Sequence, residues 1–392
     1  MWEVLLSGAM ALALAALGFL ILAGGRALKP APRDPAAIPG RWPRVALIMP
    51  VAGADPGLAA RLASFLRQDY PDYQMILVTR GPEDPATPVI RALLGAHPRA
   101  RHVIAGPATA CGQKNHNLLA GLKVADPGAT VLAFCDSNQM APETWLRELV
   151  RPIALGQARV VSGYHHLLPQ DRRLATLGRA VTVLVLFLTR GLAPLNQPWG
   201  GATAMARELF AALEVDRLWA ENVVDDVSLA ARLMTAGLRV GYPAGEALAT
   251  PLGGESLGGW RAWLTRQWLY LKFCLPGTWL AGGAVVHLLL LLVFLAVLGV
   301  LLAPWGALAP LAGVAAGLFL TLLTALGAVL RTLHPKPGPL GPWLAAFYAT
   351  ILMGSWCHLR TWFTRYLCWR GLCYRVGLRG KVLEVKTVSS EQ

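Results

Sequence analysis

Apolar side chains fall along this chain in three patterns. Long uncharged runs occupy residues 4–23, 280–303 (apart from His287) and 309–330, each about long enough to cross a bilayer as a helix. A shorter and more broken run covers residues 341–359, interrupted by Thr350, Ser355 and His358. Between residues 45 and 275 the texture changes to brief Val/Ile/Leu-rich runs alternating with amphipathic stretches. Continuous runs at 45–50 and 74–79 predict buried parallel strands, and 102–105, 131–135 and 159–163 are further strand candidates. The segments 57–68, 87–95, 115–124 and 142–150 predict helices between them. Such alternation predicts an α/β domain with a mostly parallel sheet, whose ligands bind at the carboxyl ends of the strands.

Two further stretches are too apolar for a simple soluble shell. Residues 180–189 lie between Arg179 and Arg190, and residues 257–273 interleave Trp260, Trp263, Trp268 and Tyr270 with Arg261, Arg266 and Lys272. Interfacial helices near 174–190 and 257–273 fit this mixture of rings and cations, a core helix being the alternative for each.

Composition sharpens this picture. The chain has 392 residues, 55% hydrophobic and 15% charged, with Lys+Arg 36 against Asp+Glu 22 and a formal charge of +14. The apolar content excludes a disordered chain, and soluble enzymes carry a charged fraction nearer about a quarter. The basic residues flank apolar runs rather than forming one block, which favours a membrane over nucleic acid. Arg26, Lys29, Arg33, Arg41 and Arg44 follow the first run, so the N-terminus is expected outside and the following domain in the cytoplasm of an inner, plasma or equivalent membrane. The start Met1-Trp2-Glu3 is unlike a cleaved signal peptide, and residues 1–25 read as a retained anchor. Pro30, Pro32, Pro35, Pro39 and Pro43 make 26–44 a stiff linker. Pro304-Trp305-Gly306 turns a helical hairpin over 280–330. Arg360, Arg365, Arg370, Arg375, Arg379 and Lys381 mark 360–392 as a basic cytoplasmic tail, which favours a re-entrant or interfacial segment at 341–359 over a spanning one and leaves three full spans. The six cysteines contain no CxxC pair, which argues against zinc and for scattered reduced thiols.

Candidate chemistry sits just after strands and at helix starts. The strand ending in Cys135 runs into Asp136-Ser137-Asn138, and an aspartate there can hold a divalent cation against a diphosphate. It can equally be a turn or cap residue. Lys114 and Asn117 open a helix and offer a cation and an amide to a phosphate or base. Trp199-Gly200-Gly201 precedes a small-residue strand that allows close backbone approach, and His165 joins these as a substrate-side candidate. Asp225-Asp226 opens an amphipathic helix. Consecutive helical positions diverge by about 100°, so one carboxylate of the two is expected in a shared site, with the helix N-terminus keeping it ionised.

The order of these elements resembles the membrane-bound family 2/family 21 glycosyltransferases with a GT-A domain, ceramide glucosyltransferases and hopanoid-associated lipid glycosyltransferases above all. The resemblance covers residues 42–275, flanked by the anchor and the later spans. It is carried by Leu47–Pro50, by Gln68-Asp69-Tyr70-Pro71, by Glu83-Asp84-Pro85-Ala86 against that family's DDPA, by Lys114–Leu118, by Cys135-Asp136-Ser137 and by Asp225-Asp226. Arg80-Gly81 replaces the acid usual after the second strand, Asn138 stands where relatives carry Asp or Gly, and the Q/RxxRW motif survives as Arg266-Gln267-Trp268.

The resemblance implies inverting transfer of a sugar from a UDP-sugar to the hydroxyl of a membrane lipid, most simply glucose to ceramide in glycosphingolipid synthesis. Asp226 would be the base, with Asp225 beside it, and Asp136 would hold Mg²⁺ or Mn²⁺. Pro50, Val51, Ala52, Asp84, Lys114, Asn117, Ser137, Arg266, Gln267 and Trp268 would line the donor. Trp199, Gly200, Gly201 and His165 would line the acceptor side. The implied partners are the lipid acceptor and the bilayer, with no nucleic acid and no obligate protein. Alternatives are a hopanoid or diacylglycerol glycosyltransferase, a processive polysaccharide synthase, and an inactive scaffold that binds nucleotide or lipid.

Overall fold

The computed structural model describes residues 2–27, 40–95, 97–192, 195–243, 245, 247–305 and 310–387. Most of the proline-rich linker, with Lys29, Pro30, Pro32, Arg33, Pro35 and Pro39, lies outside the described residues, as do Gly306 of the hairpin turn and residues 388–392.

The chain opens with α1 (Trp2–Ala27) and enters the α/β domain through β1 (Val45–Pro50), α2 (Leu58–Leu66), β2 (Tyr73–Thr79), α3 (Ala86–Leu94), β3 (Ala100–Ile104), α4 (Gln113–Lys123), β4 (Val131–Cys135) and α5 (Trp145–Ala154). Strands β1, β2 and β4 were expected from their apolar runs, because a parallel strand covered on both faces has no polar alternation to show. Strand β3 lies at the edge of the sheet with none of its residues buried, and it starts two residues before the expected run. In β1, Val45, Leu47 and Met49 pack into one core layer with Phe65 and Trp145. Ala46 and Ile48 pack into the other, with Leu118, Phe134 and Trp219.

Next come β5 (Val160–Ser162), β6 (His165–Pro169), α6 (Leu174–Leu188), β7 (Ala202–Ala206), α7 (Arg207–Ala212), α8 (Val215–Glu221), α9 (Asp226–Thr235) and β8 (Leu248–Leu252). The main sheet has the order β3-β2-β1-β4-β7-β5. Strands β1 to β4 are parallel, and β7 runs antiparallel to both β4 and β5. Strands β6 and β8 form a separate parallel pair beside it.

The remainder is helical and then β: α10 (Leu257–Cys274), α11 (Pro276–Leu302), α12 (Pro310–Thr332), α13 (Leu340–Thr361), β9 (Tyr366–Trp369), β10 (Leu372–Val376) and β11 (Val382–Thr387). Among the described residues, four helices are long and apolar enough to cross a membrane: Val4–Arg26, Leu174–Gly191, Pro276–Leu302 and Ala312–Thr332.

Three features depart from the sequence reading. Helix α6 is wrapped by protein and has a buried face too broad for a helix lying in headgroups: Leu177, Val181, Leu184 and Leu188 are enclosed with residues of α1, α12 and α13. Helix α13 is one unbroken helix of 22 residues packed among its neighbours, not a re-entrant turn. The basic segment after it is no loose tail, for β9, β10 and β11 form an antiparallel sheet. Leu367, Leu372, Tyr374, Val376 and Val382 of that sheet pack on Val223, Val224 and Leu269.

The thiol assignment also changes. Cys368 and Cys373 face each other across the β9–β10 pairing and form a disulfide, while Cys111, Cys135, Cys274 and Cys357 are free and buried. A five-residue spacing becomes a facing pair only when the segment between is a tight hairpin.

Candidate functional site

The site begins as a backbone contact between two loops far apart in sequence. The amide of Gly112 donates to the carbonyl of Asn222 at 2.9 Å, and a Cβ on Gly112 would lie 2.2 Å from the Val223 carbonyl oxygen. Asn115, wholly buried, strengthens the joint by donating from Nδ2 to the carbonyl of Asn222 at 2.9 Å. The Trp219 indole, packed on Phe134, donates to the Asp225 carbonyl at 3.0 Å. Together these contacts lock the N-terminus of α4 against that of α9.

Lys114 is therefore aimed at the acids. Its Nζ lies 2.8 Å from Asp136 Oδ1, at the end of β4, and 3.0 Å from Asp225 Oδ2. Burial alone would pull its pKa down, but Asp136, then Asp225 and Asp226, outweigh that and hold it well above the usual lysine range. One ammonium is thus shared among three carboxylates, and the deepest is under-compensated. Burial pushes Asp225 up to about 6, with Lys114 opposing and Asp226 and Asp136 adding to the rise. Asp226 is more open, and its carboxylate accepts from the Gly200 amide at 3.0 Å and the Val227 amide at 2.7 Å.

Both acids of the pair therefore reach one cluster, against the expectation that a single one would. Asp225, at the N-cap position of α9, turns to Lys114, and Asp226, the first residue inside the helix, turns to the Gly200 amide, so the two carboxylates line different sides of the same cluster. Gly200 is what fits between them. A Cβ there would lie 2.2 Å from Asp225 Oδ2 and 2.5 Å from Lys114 Nζ. At Gly201 it would meet the Trp199 ring at 2.4 Å.

On one side of the cluster lies the carboxyl edge of the sheet. Pro50 ends β1, and the Val51 amide continues the ladder onto the Val78 carbonyl at 2.8 Å before the chain turns through Ala52. Asp84 Oδ1 accepts from the Gly53 and Ala86 amides, each at 2.9 Å, so this side chain shapes the loop. Buried Asn117 accepts from Gln113 Nε2 at 2.8 Å. The carbonyl of Ser137 accepts from Arg61 at 3.1 Å, beside Asp136.

On the other side, His165 stacks on Trp199 with ring centroids 4.4 Å apart and bonds Thr250 through Nδ1 at 2.7 Å. Burial, then the nearby His166, Arg179 and Arg190, drop His165 to about 3, so it is a neutral ring at physiological pH. Trp199 in turn touches Tyr164, which stacks on Phe187 of α6.

The Arg266-Gln267-Trp268 stretch divides. Arg266 lies over the Trp369 ring, 5.6 Å from its centroid. Gln267 bonds the Trp263 carbonyl of its own helix, and Trp268 packs on His358 of α13 and beside Gly282 of α11. Gln267 and Trp268 are therefore not brought to the acidic cluster, because the third residue of a helical triplet points away from the first. Tyr270, one turn beyond Arg266, does belong near it: burial pushes its phenol up to about 12, and the charges of Arg266, Asp226, Asp225 and Lys114 all act on it. The i, i+4 spacing from Arg266 was its available signal.

Chemically, the arrangement offers a half-open carboxylate backed by amides, a cation, and Asp136 with a side chain 32% exposed. Among the described residues no group of three or more His, Cys, Asp or Glu could hold a metal ion by itself. Mg²⁺ or Mn²⁺ typically takes one or two carboxylates and completes its shell from phosphates and water, which Asp136 fits.

Among solved structures, similar ones include the mannosyltransferase PcManGT from Pyrobaculum calidifontis in complex with GDP-Man and Mn²⁺, 18% identical, covering 90% of this chain and 99% of that one with a TM-score of 0.48. Glucosyl-3-phosphoglycerate synthase from Mycobacterium tuberculosis in complex with phosphoglyceric acid is 19% identical over 60% of this chain and 80% of that one, with a TM-score of 0.38. The model of glycosyl transferase family 21 matches residues 6–382. That match runs from the first apolar helix to the last strand, and the chain belongs to glycosyltransferase family 21.

Proposed function

We propose that this protein transfers a sugar, with inversion, from a UDP-sugar to the hydroxyl of a membrane lipid, glucose to ceramide being the first pair to test. The observation that carries the lipid acceptor is Trp199. It sits beside Gly200, whose amide binds Asp226, and it also packs into the apolar cluster of Tyr164, Phe187, Phe319 and Trp343 built by the membrane-type helices. A hydroxyl delivered from that side meets Asp226 directly.

Asp226 suits the base better than Asp225. Among the described residues its oxygens accept from backbone amides alone, whereas Asp225 is buried and committed to Lys114. A carboxylate held by two N–H groups is oriented and stays able to take a proton from an attacking hydroxyl. Lys114 holds Asp136 and Asp225 in register and faces the place where a departing diphosphate gains charge. A divalent cation, Mg²⁺ or Mn²⁺, would sit on Asp136 and neutralise that diphosphate. The positive-inside pattern of Arg26, Arg41 and Arg44 supports a cytoplasmic site, with the N-terminus outside.

UDP release by detergent-purified full-length protein, across a UDP-sugar by lipid-acceptor matrix with Mg²⁺ or Mn²⁺, tests the reading. Asp226→Asn runs beside it, with a loss of about 10²–10⁴-fold expected in turnover. Acceptor-dependent release that vanishes in the variant supports the proposal. Equal release by both proteins removes Asp226 from the base role.

A further inference from the structure

The C-terminal hairpin carries an arginine onto the donor side of the site. Strands β9 and β10 are joined by the two-residue loop Arg370-Gly371, with Trp369 and Leu372 paired at its base. Arg370 has φ +48° and Gly371 φ +74°, the backbone of a tight hairpin turn that normally takes Asn or Gly first. A long cationic side chain in that left-handed position is uncommon, and such strained residues cluster at functional sites.

Its guanidinium reaches the opposite end of the chain. Arg370 Nη1 donates to the carbonyl of Ala52, and a Cβ on Gly53 would lie 3.6 Å from the same nitrogen. Ala52 and Gly53 form the loop leaving β1, at the carboxyl edge where α/β sheets receive nucleotides. The side chain is exposed, and a guanidinium has five N–H donors, so it retains capacity for a further anion. Trp369 holds the group in place from below: Arg370 lies 5.1 Å and Arg266 5.6 Å from its ring centroid. The hairpin itself is fixed to the domain. Tyr374 Oη accepts from the Gln113 amide at 3.1 Å, next to Lys114, and the Val223 amide donates to the Gly380 carbonyl at 3.0 Å, just before the acid pair. Arg370, Arg266 and Lys114 thus flank a site whose own acids would otherwise repel a diphosphate.

We infer that Arg370 is a donor-binding residue that contacts the diphosphate, and that the β9–β10 hairpin is the cover of the donor site. The inference rests on the nucleotide-diphosphate donor proposed above. On donor binding the guanidinium exchanges the Ala52 carbonyl for phosphate oxygens, a stronger, charge-assisted partner.

Calorimetric titration of the full-length protein in detergent with UDP and with uridine, for the wild type, Arg370→Ala and Arg370→Lys, tests it. Arg370→Ala should weaken UDP on the order of 10- to 100-fold and leave uridine unchanged, with Arg370→Lys between, because lysine keeps the charge and loses the fork. A merely structural role would move UDP and uridine together, and that result overturns the inference, as does UDP binding by Arg370→Ala within about twofold of the wild type. Absence of UDP binding by the wild type itself is the separate outcome that removes the donor reading and, with it, this one. Unfolding temperatures of the three proteins, expected to agree, show that the hairpin stays folded.

Discussion

Lys114 Nζ and Asp225 Oδ2 stand 3.0 Å apart at the junction of two helix starts, with the aspartate side chain 4% exposed. Removing the cation leaves a buried carboxylate without its partner, which costs more than the pair contributes. Lys114→Met should therefore lose about 2–3 kcal/mol of stability, below the range for fully buried pairs because the lysine is partly open. Lys114→Met/Asp225→Asn should regain part of that loss while remaining inactive. Chemical unfolding in detergent checks this, and equal stability of the single and double variants would show that the pair is not coupled.

Gly200 is sensitive to a single methyl group. Gly200→Ala puts carbon where Asp225 Oδ2 and Lys114 Nζ now lie, so the cluster must spread. Misplacement of reacting groups by about 1 Å costs about 10²-fold, and a drop of that size in turnover is expected with the fold intact. Ala at Gly237, where no heavy atom lies within 4 Å of the added Cβ but φ is +67°, is the contrasting variant. It should cost stability and spare activity.

The pH response has a definite sign. The fold raises Asp225 above its ordinary value of 3.8 to about 6, so the protonated form is favoured in the folded state. The stability from this group is complete below about 4 and is lost as pH rises through about 6. Activity runs the other way, because the Lys114–Asp225 ion pair requires the ionised acid. Turnover should rise through about pH 6, and in Asp225→Asn that limb should be lost, at a reduced plateau. A limb that persists in Asp225→Asn would assign the transition to another group.

Trp268 and Trp199 should separate cleanly. Trp268→Ala empties a ring packed among α10, α11 and α13 and should lose about 3–5 kcal/mol while leaving UDP affinity unchanged in the protein that folds. A changed UDP affinity would return Trp268 to the donor site.

Trp199→Ala should instead raise the KM for lipid acceptor by about tenfold or more, with UDP affinity kept, because its ring joins the Asp226 region to the apolar helices. Acceptor kinetics over a chain-length series would check this. Loss of UDP affinity with acceptor KM unchanged would place Trp199 on the donor side.

Much of this was readable before any coordinates. The strands β1, β2 and β4, the helices between the first four strands and the three long apolar helices follow from local pattern alone, because burial on both faces or in a bilayer leaves no room for polar alternation. Asp136, Lys114 and the acid pair were legible from their places after strands and at helix starts. The hairpin bearing Trp369 and Arg370 was not. Tyr366–Trp369 and Leu372–Val376 are only four and five residues long, and they acquire a core only by packing on Val223, Val224 and Leu269.

By itself, then, the sequence determined the element types and the chemical groups available, since backbone and burial preferences act over neighbouring residues. The tertiary structure decided which groups meet. Lys114 finds Asp225 through the Gly112–Asn222 backbone contact, Trp268 is turned to the helices while Arg266 is turned to Trp369, and Arg370 of the last hairpin reaches the loop after β1. Those pairings depend on contacts between segments distant in the chain, whose closure is driven by burial of the whole core and leaves no local signature.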